Sequence, residues 1–225
     1  MKLFVIFVVL AIGACQARHV LEKRSEPSHA RKEVRRYEFF KNSKDIIIAA
    51  CKANGLTKDA EIKLDKEFDE SEVCVSKKPI FSVPQEEFIQ NMNDCNKELL
   101  TLIRNCLKEN EKFYPDYMLQ LRNSFTTFLY AGKDVLESNE FKACAQKMEE
   151  PAATKTMDTC VERAAQESHA SAGLPQSKSE ACETMDKISQ CYSKVIGQYC
   201  ESNDNVNKFL QLNVAAITSP CKKNV

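Results

Sequence analysis

Residues 182–200, CETMDKISQCYSKVIGQYC, place three cysteines nine residues apart in a stretch whose apolar positions otherwise repeat as on a helix. At about 100° per residue, nine residues turn an α-helix through two and a half turns. Cys182 and Cys191 therefore face opposite sides, and Cys200 returns to the side of Cys182 roughly 27 Å along the axis. Met185, Ile188, Tyr192, Val195 and Tyr199 fill the apolar face between them. A disulfide requires Cα atoms about 4.4–6.8 Å apart, so no two of the three can pair within one continuous helix. Each must reach a different neighbour. The spacing predicts a helix fastened on several sides and no single metal centre.

The start of the chain bears on the compartment. MKLFVIFVVLAIGACQA has one basic residue, an apolar run from Leu3 to Ile12, and small residues at Gly13, Ala14 and Ala17. That is the layout of a secretory signal peptide over residues 1–17, and the run is too short to span about 30 Å of hydrocarbon. No later stretch is apolar enough to suggest a membrane span. Setting Cys15 aside leaves Cys51, Cys74, Cys95, Cys106, Cys144, Cys160, Cys182, Cys191, Cys200 and Cys221. An even set of cysteines in an exported chain reads as a disulfide framework. A structural zinc site or a redox centre would show a close Cys-x-x-Cys pair. None occurs, and His19, His29 and His169 are the only histidines. Ten cysteines allow hundreds of connectivities. Cys144 with Cys160 is expected, because they lie at similar distances either side of Pro151, and Cys51 with Cys74 is a second expectation.

Residues 18–36, RHVLEKRSEPSHARKEVRR, form a basic polar leader with seven Lys or Arg against three Glu. It reads either as a solvated, disordered tail or as a propeptide ending at a dibasic pair, Lys23-Arg24 or Arg35-Arg36. The whole chain carries 32 basic and 32 acidic residues, which argues against nucleic-acid binding.

From residue 37 onward the pattern is helical. Ser43 can cap a segment through Ile46, Ile47, Ile48 and Cys51, and Gly55 stops it. Leu64 and Phe68 mark the charged stretch from Thr57 to Glu70. Phe88, Met92, Cys95, Leu99, Leu102 and Cys106 make one apolar stripe on a helix from Pro84 to about Lys108. Pro115 suits the first turn of a helix closed by Gly132. Further helices carry Phe141, Cys144 and Met148; Ala153, Met157, Cys160 and Ala164; and Val206, Leu210, Val214 and Ile217. SHASAGLPQS, residues 168–177, is the main loop. The expectation is an all-α, disulfide-linked multi-helix bundle forming a single domain over 37–225.

The order of CLKENEKF at Cys106, FKAC at Cys144, TMDTC at Cys160, the Cys182–Cys191–Cys200 run and ITSPC at Cys221 resembles the insect 27 kDa hemolymph glycoprotein family. The likeness covers most of the chain after the signal peptide and is best after Cys95. It implies a secreted, circulating, helical, disulfide-rich protein whose molecular activity is poorly defined. Two departures stand out. No Asn-x-Ser/Thr site is present, so N-linked glycosylation does not carry over. The family's further cysteine between the positions of Cys106 and Cys144 has no counterpart in SFTTFLYAGKDV, residues 124–135.

Three functions are weighed. A cross-linked bundle can hold an apolar small molecule between its helices, with Phe125, Phe128, Leu129 and Tyr130 as candidate lining residues; otherwise these are ordinary core. The alternative is recognition of an extracellular protein or microbial surface, with no particular patch indicated. Catalysis is not expected: no nucleophile, base and orienting group recur together, and His169 sits in a loop. Glu86-Glu87 and Glu149-Glu150 read as helix-terminal charges. No catalytic, cofactor or metal residue is assigned, and the sequence leaves the oligomeric state open.

Overall fold

The computed structural model describes residues 44–167 and 174–222. The expected signal peptide, the basic leader with its dibasic pairs, Ser43 and His169 lie outside the described residues. Within them every regular element is helical. A helix through 44–53 (α1) is followed by α2 (Lys58–Ser76), α3 (Gln85–Cys106), α4 (Tyr114–Ala131), α5 (Lys133–Glu137) and α6 (Asn139–Met148). Then come α7 (Pro151–Glu167), α8 (Lys178–Tyr199) and α9 (Asp204–Thr218), with 3-10 turns at Glu109–Glu111 and Ser219–Cys221. The chain is an all-α, disulfide-linked multi-helix domain.

The boundaries follow from local chemistry. Thr57, Ser138, Ser177 and Asn203 each accept a backbone N–H of the first turn with a side-chain oxygen. Such caps stabilise a helix start by about 1 kcal/mol. Pro115 and Pro151 occupy opening positions, where no N–H is required. Gly55 adopts φ +90°, the left-handed conformation that suits glycine at the end of α1. At Gly132 a Cβ would lie 2.9 Å from the Phe128 carbonyl oxygen, so only glycine fits the end of α4 without a shift.

α8 lies at the centre of the larger half, packed against α7, α9 and α6. Ile188 and Val195 of α8 join Met157 and Val161 of α7, Phe125 and Phe128 of α4, and Ile217 of α9 in the main core. A smaller core beneath α1 and α2 comprises Cys51, Leu64, Leu99, Ile103, Leu107 and Leu174. α3 serves both, with Phe88 and Met92 in the first and Leu99 and Ile103 in the second. Its buried face is therefore Phe88, Met92, Asn96, Leu99 and Ile103. Cys95, Leu102 and Cys106 of the expected stripe sit half-buried at its edge, where two of them reach sideways to α1 and α2.

Three tyrosines tie the fold to pH. Burial pushes the Tyr114 hydroxyl up to about 12 and raises Tyr117 and Tyr192 further. Above pH 10 the unfolded chain loses phenolic protons that the folded chain keeps, so stability falls as pH rises. Each tyrosine removes about 1.4 kcal/mol per pH unit over the interval between its two values. We expect cooperative unfolding between pH 10 and 12, with tyrosinate absorbance rising in step with loss of helical circular dichroism. Ionisation of all tyrosines with the helices intact would contradict this.

Candidate functional site

The three sulfurs of α8 reach three different elements. Cys182 is joined to Cys221 in the final 3-10 turn, Cys191 to Cys160 on α7, and Cys200 to Cys144 on α6. The corresponding Cα–Cα distances are 5.5, 5.8 and 5.0 Å. α3 is held by Cys106 to Cys51 on α1 and by Cys95 to Cys74 on α2, at 4.9 and 5.7 Å. All ten cysteines from Cys51 to Cys221 are thus cross-linked, and no bridge joins α1–α3 to the elements that follow.

Both expected pairings are corrected. Cys144 does not meet Cys160, because α7 turns its buried face (Ala153, Met157, Val161 and Ala164) toward α8 rather than back onto α6. Symmetry about Pro151 says nothing of that rotation. Cys51 does not meet Cys74, because α1 and α2 run antiparallel with Lys52 paired to Glu61 (2.5 Å) and Lys44 to Asp69 (2.8 Å). That register sets Cys51 beside the start of α2, while Cys74 lies at its far end.

Phe125, Phe128 and Leu129 are buried members of the main core. The Phe128 ring lies 6.2 Å from that of Phe125 and 5.6 Å from that of Phe209, which in turn lies 4.6 Å from Phe141. Tyr130 has a different task. Its hydroxyl donates to the Val83 carbonyl (2.7 Å) and accepts the Phe81 N–H (3.1 Å), gripping both sides of the turn that enters α3. Phe81 takes φ +65° there, a conformation that costs a bulky residue about 1–3 kcal/mol. The Tyr130 clamp and the edge-on ring contact at 5.0 Å offset that strain.

Pattern reading missed several buried polar groups. Glu111 accepts from Asn54 Nδ2, Lys108 N and Gln176 Nε2, and so pins the segment that delivers Leu174 to the smaller core. Asn96 accepts from Ser71 Oγ (2.9 Å) and Arg122 Nη1 (3.0 Å) and donates to the Met92 carbonyl (2.6 Å). Asn213 differs from both. It is 0% exposed on the core face of α9, and neither its Oδ1 nor its Nδ2 has a hydrogen-bond partner among the described residues. An unmet buried polar group costs about 1–3 kcal/mol. Spacing could have flagged it: Asn213 lies seven residues after Val206 and four before Ile217, on the face those two bury.

Among the described residues no group of three His, Cys, Asp or Glu side chains could hold a metal ion. Nor is any described helix long and apolar enough to cross a membrane. No family model, no curated protein and no solved structure matches the chain.

Proposed function

We propose that this chain is a secreted, non-enzymatic helical protein of an extracellular fluid that carries an apolar small molecule. The bound molecule presents one uncharged hydrogen-bonding group to Asn213. The orphaned Asn213 amide carries this reading: it offers a donor and an acceptor inside an apolar core, and among the described residues no group uses either. A purely structural core position would favour Leu or Ile there, so the amide needs a reason.

Export is supported by the leader sequence and by five bridges, since disulfides persist in oxidising compartments. The resemblance of the cysteine order to that of the insect 27 kDa hemolymph glycoprotein family supports a circulating protein of that type. With ten sulfurs in bridges, none of those cysteines is a free thiolate for nucleophilic chemistry.

The test is native mass spectrometry of the secreted protein together with uptake of a fluorescent long-chain alcohol. A co-purified small molecule and saturable uptake are expected. The variant Asn213→Leu should lose uptake and gain about 1–3 kcal/mol of stability, because an unmet amide is replaced by a packed side chain. Absence of both bound molecule and uptake, or unchanged uptake by Asn213→Leu, would overturn the reading.

A further inference from the structure

The inner side of α2 packs on α3, and Leu64 and Ser71 are its buried residues. Ile62 and Val73, each 60% exposed, are the large apolar side chains that stand in water among the described residues. Eleven residues apart, they fall on one line of the helix about 16 Å long, on the side opposite Leu64 and Ser71. Lys66 and Asp69 lie between them on the same stripe. Asp59 and Glu70 flank it on one side, Asp65 and Glu72 on the other, and all six are exposed. One exposed apolar side chain is ordinary. Two aligned on the outer stripe of one helix mark a face.

The charge of this face is one-sided. α2 carries seven acidic residues against three lysines. Lysines of α1 run antiparallel along one edge of it: Lys52 pairs with Glu61 (2.5 Å), and Lys44 with both Asp65 and Asp69 (2.8 Å each). Lys44 is the first described residue, so the chain ahead of it arrives beside the next acid on that edge, Glu72. Asp59, Glu67 and Glu72 have no ion pair among the described residues. The leader, residues 18–36, holds the opposite excess, seven Lys or Arg against three Glu, together with Val20, Leu21 and Val34. Its last basic pair, Arg35-Arg36, lies eight residues before Lys44. Eight extended residues reach about 27 Å, and α2 is about 28 Å long. The leader is thus tethered within reach of the whole face.

We propose that the basic leader, residues 18–36, docks on the outer face of α2 of its own chain, its Lys and Arg side chains on the acids and its apolar residues against Ile62 and Val73. Each surface pair contributes little alone, but a short tether raises the local concentration of the leader to the millimolar range. A second copy of the chain presenting the same face would set acid against acid. Cleavage after Arg36 removes the cover and bares the Ile62–Val73 stripe, so the leader governs when this face is open. The docking is separate from Asn213 on α9, and either can fail without the other.

The test is zero-length carbodiimide coupling on the chain from Arg18 onward, bridges formed and leader intact by mass, as an equal mixture of isotopically light and heavy protein. Lys23 and Lys32 should couple to Asp59, Asp69, Glu70 or Glu72 of α2, within light or within heavy chains and not between them. Raising the ionic strength to about 1 M, where screening acts over about 3 Å, should cut the yield about five-fold. Arg31→Glu with Arg35→Glu should do the same at low salt. Ile62→Ser with Val73→Ser, both exposed and outside the core, should lower it about three-fold, with circular dichroism unchanged. No coupling to α2, or coupling spread equally over acids of other helices such as Glu162 and Glu201, overturns the docking. Light-to-heavy products would show that a second copy covers the face, which overturns docking within one chain. A yield unmoved by the serine pair overturns the role of the apolar stripe.

Discussion

Replacing Cys51 and Cys106 together by alanine should destabilise the chain by about 4 kcal/mol and loosen α1 and α2 before the rest. The bridge closes a sequence separation of 55 residues, but the Cys74–Cys95 bridge, of separation 21, lies inside it. The free loop is therefore 55 less 21, about 34 residues, for which the chain-entropy relation gives close to 4 kcal/mol. Cys51 is also 0% exposed within a core of only six buried residues, so its sulfur is part of the packing. For a chain of this length the change corresponds to about 10 °C in melting temperature. The distribution of the effect matters as much as its size. Since no bridge links α1–α3 to later elements, hydrogen exchange should rise first across 44–76, with α7 and α8 still protected. A loss below about 1 kcal/mol, or uniform loss of protection, would show that the smaller core does not depend on this bridge.

The helices were legible because their signals are local. Apolar spacing within each helix, Pro115 at one start, and Gly55 and Gly132 at two ends all act within a few residues of themselves; the caps at Thr57, Ser138, Ser177 and Asn203, equally local, were not singled out in the sequence. The inference that α8 must be fastened on three sides was equally local, since it follows from helix pitch alone. Bridge partners are another matter. They depend on how one helix is rotated against the next, which is decided by contacts such as Lys52–Glu61 and Met157 against α8 that no spacing reveals. Symmetry about a turn was a poor substitute.

Polar residues in the interior were illegible for a different reason. A stripe is found by collecting apolar positions, so Asn96, Arg122 and Asn213 do not register in it. Asn96 and Asn213 lie on faces that the helices bury, and Arg122 lies half-buried against Asn96. Phe125, Phe128 and Leu129, which the sequence offers as lining residues or as ordinary core, are buried members of the main core.

Ile188→Ala should cost about 3–4 kcal/mol, near the upper half of the range for truncating a buried isoleucine. Ile188 is 0% exposed at the middle of α8, and Met157 and Val161 on the facing α7 are equally buried. How much such a truncation costs depends on how far the surroundings can close over the space. Here they are held apart: Cys160 and Cys191 pin α7 to α8 one turn from Ile188, while Cys182 and Cys200 fix α8 elsewhere. The helices cannot slide together, so most of the lost contact stays lost. A double-mutant cycle separates this from simple loss of apolar area. In a background carrying Cys160→Ala and Cys191→Ala, the helices gain freedom to approach, and Ile188→Ala should cost less by about 1 kcal/mol, within the range seen for coupled neighbours. Equal costs in the two backgrounds would mean that the bridges constrain the unfolded chain alone. A smaller cost without the bridge would mean that they also hold the core open at fixed spacing, the property a carrier built on Asn213 requires.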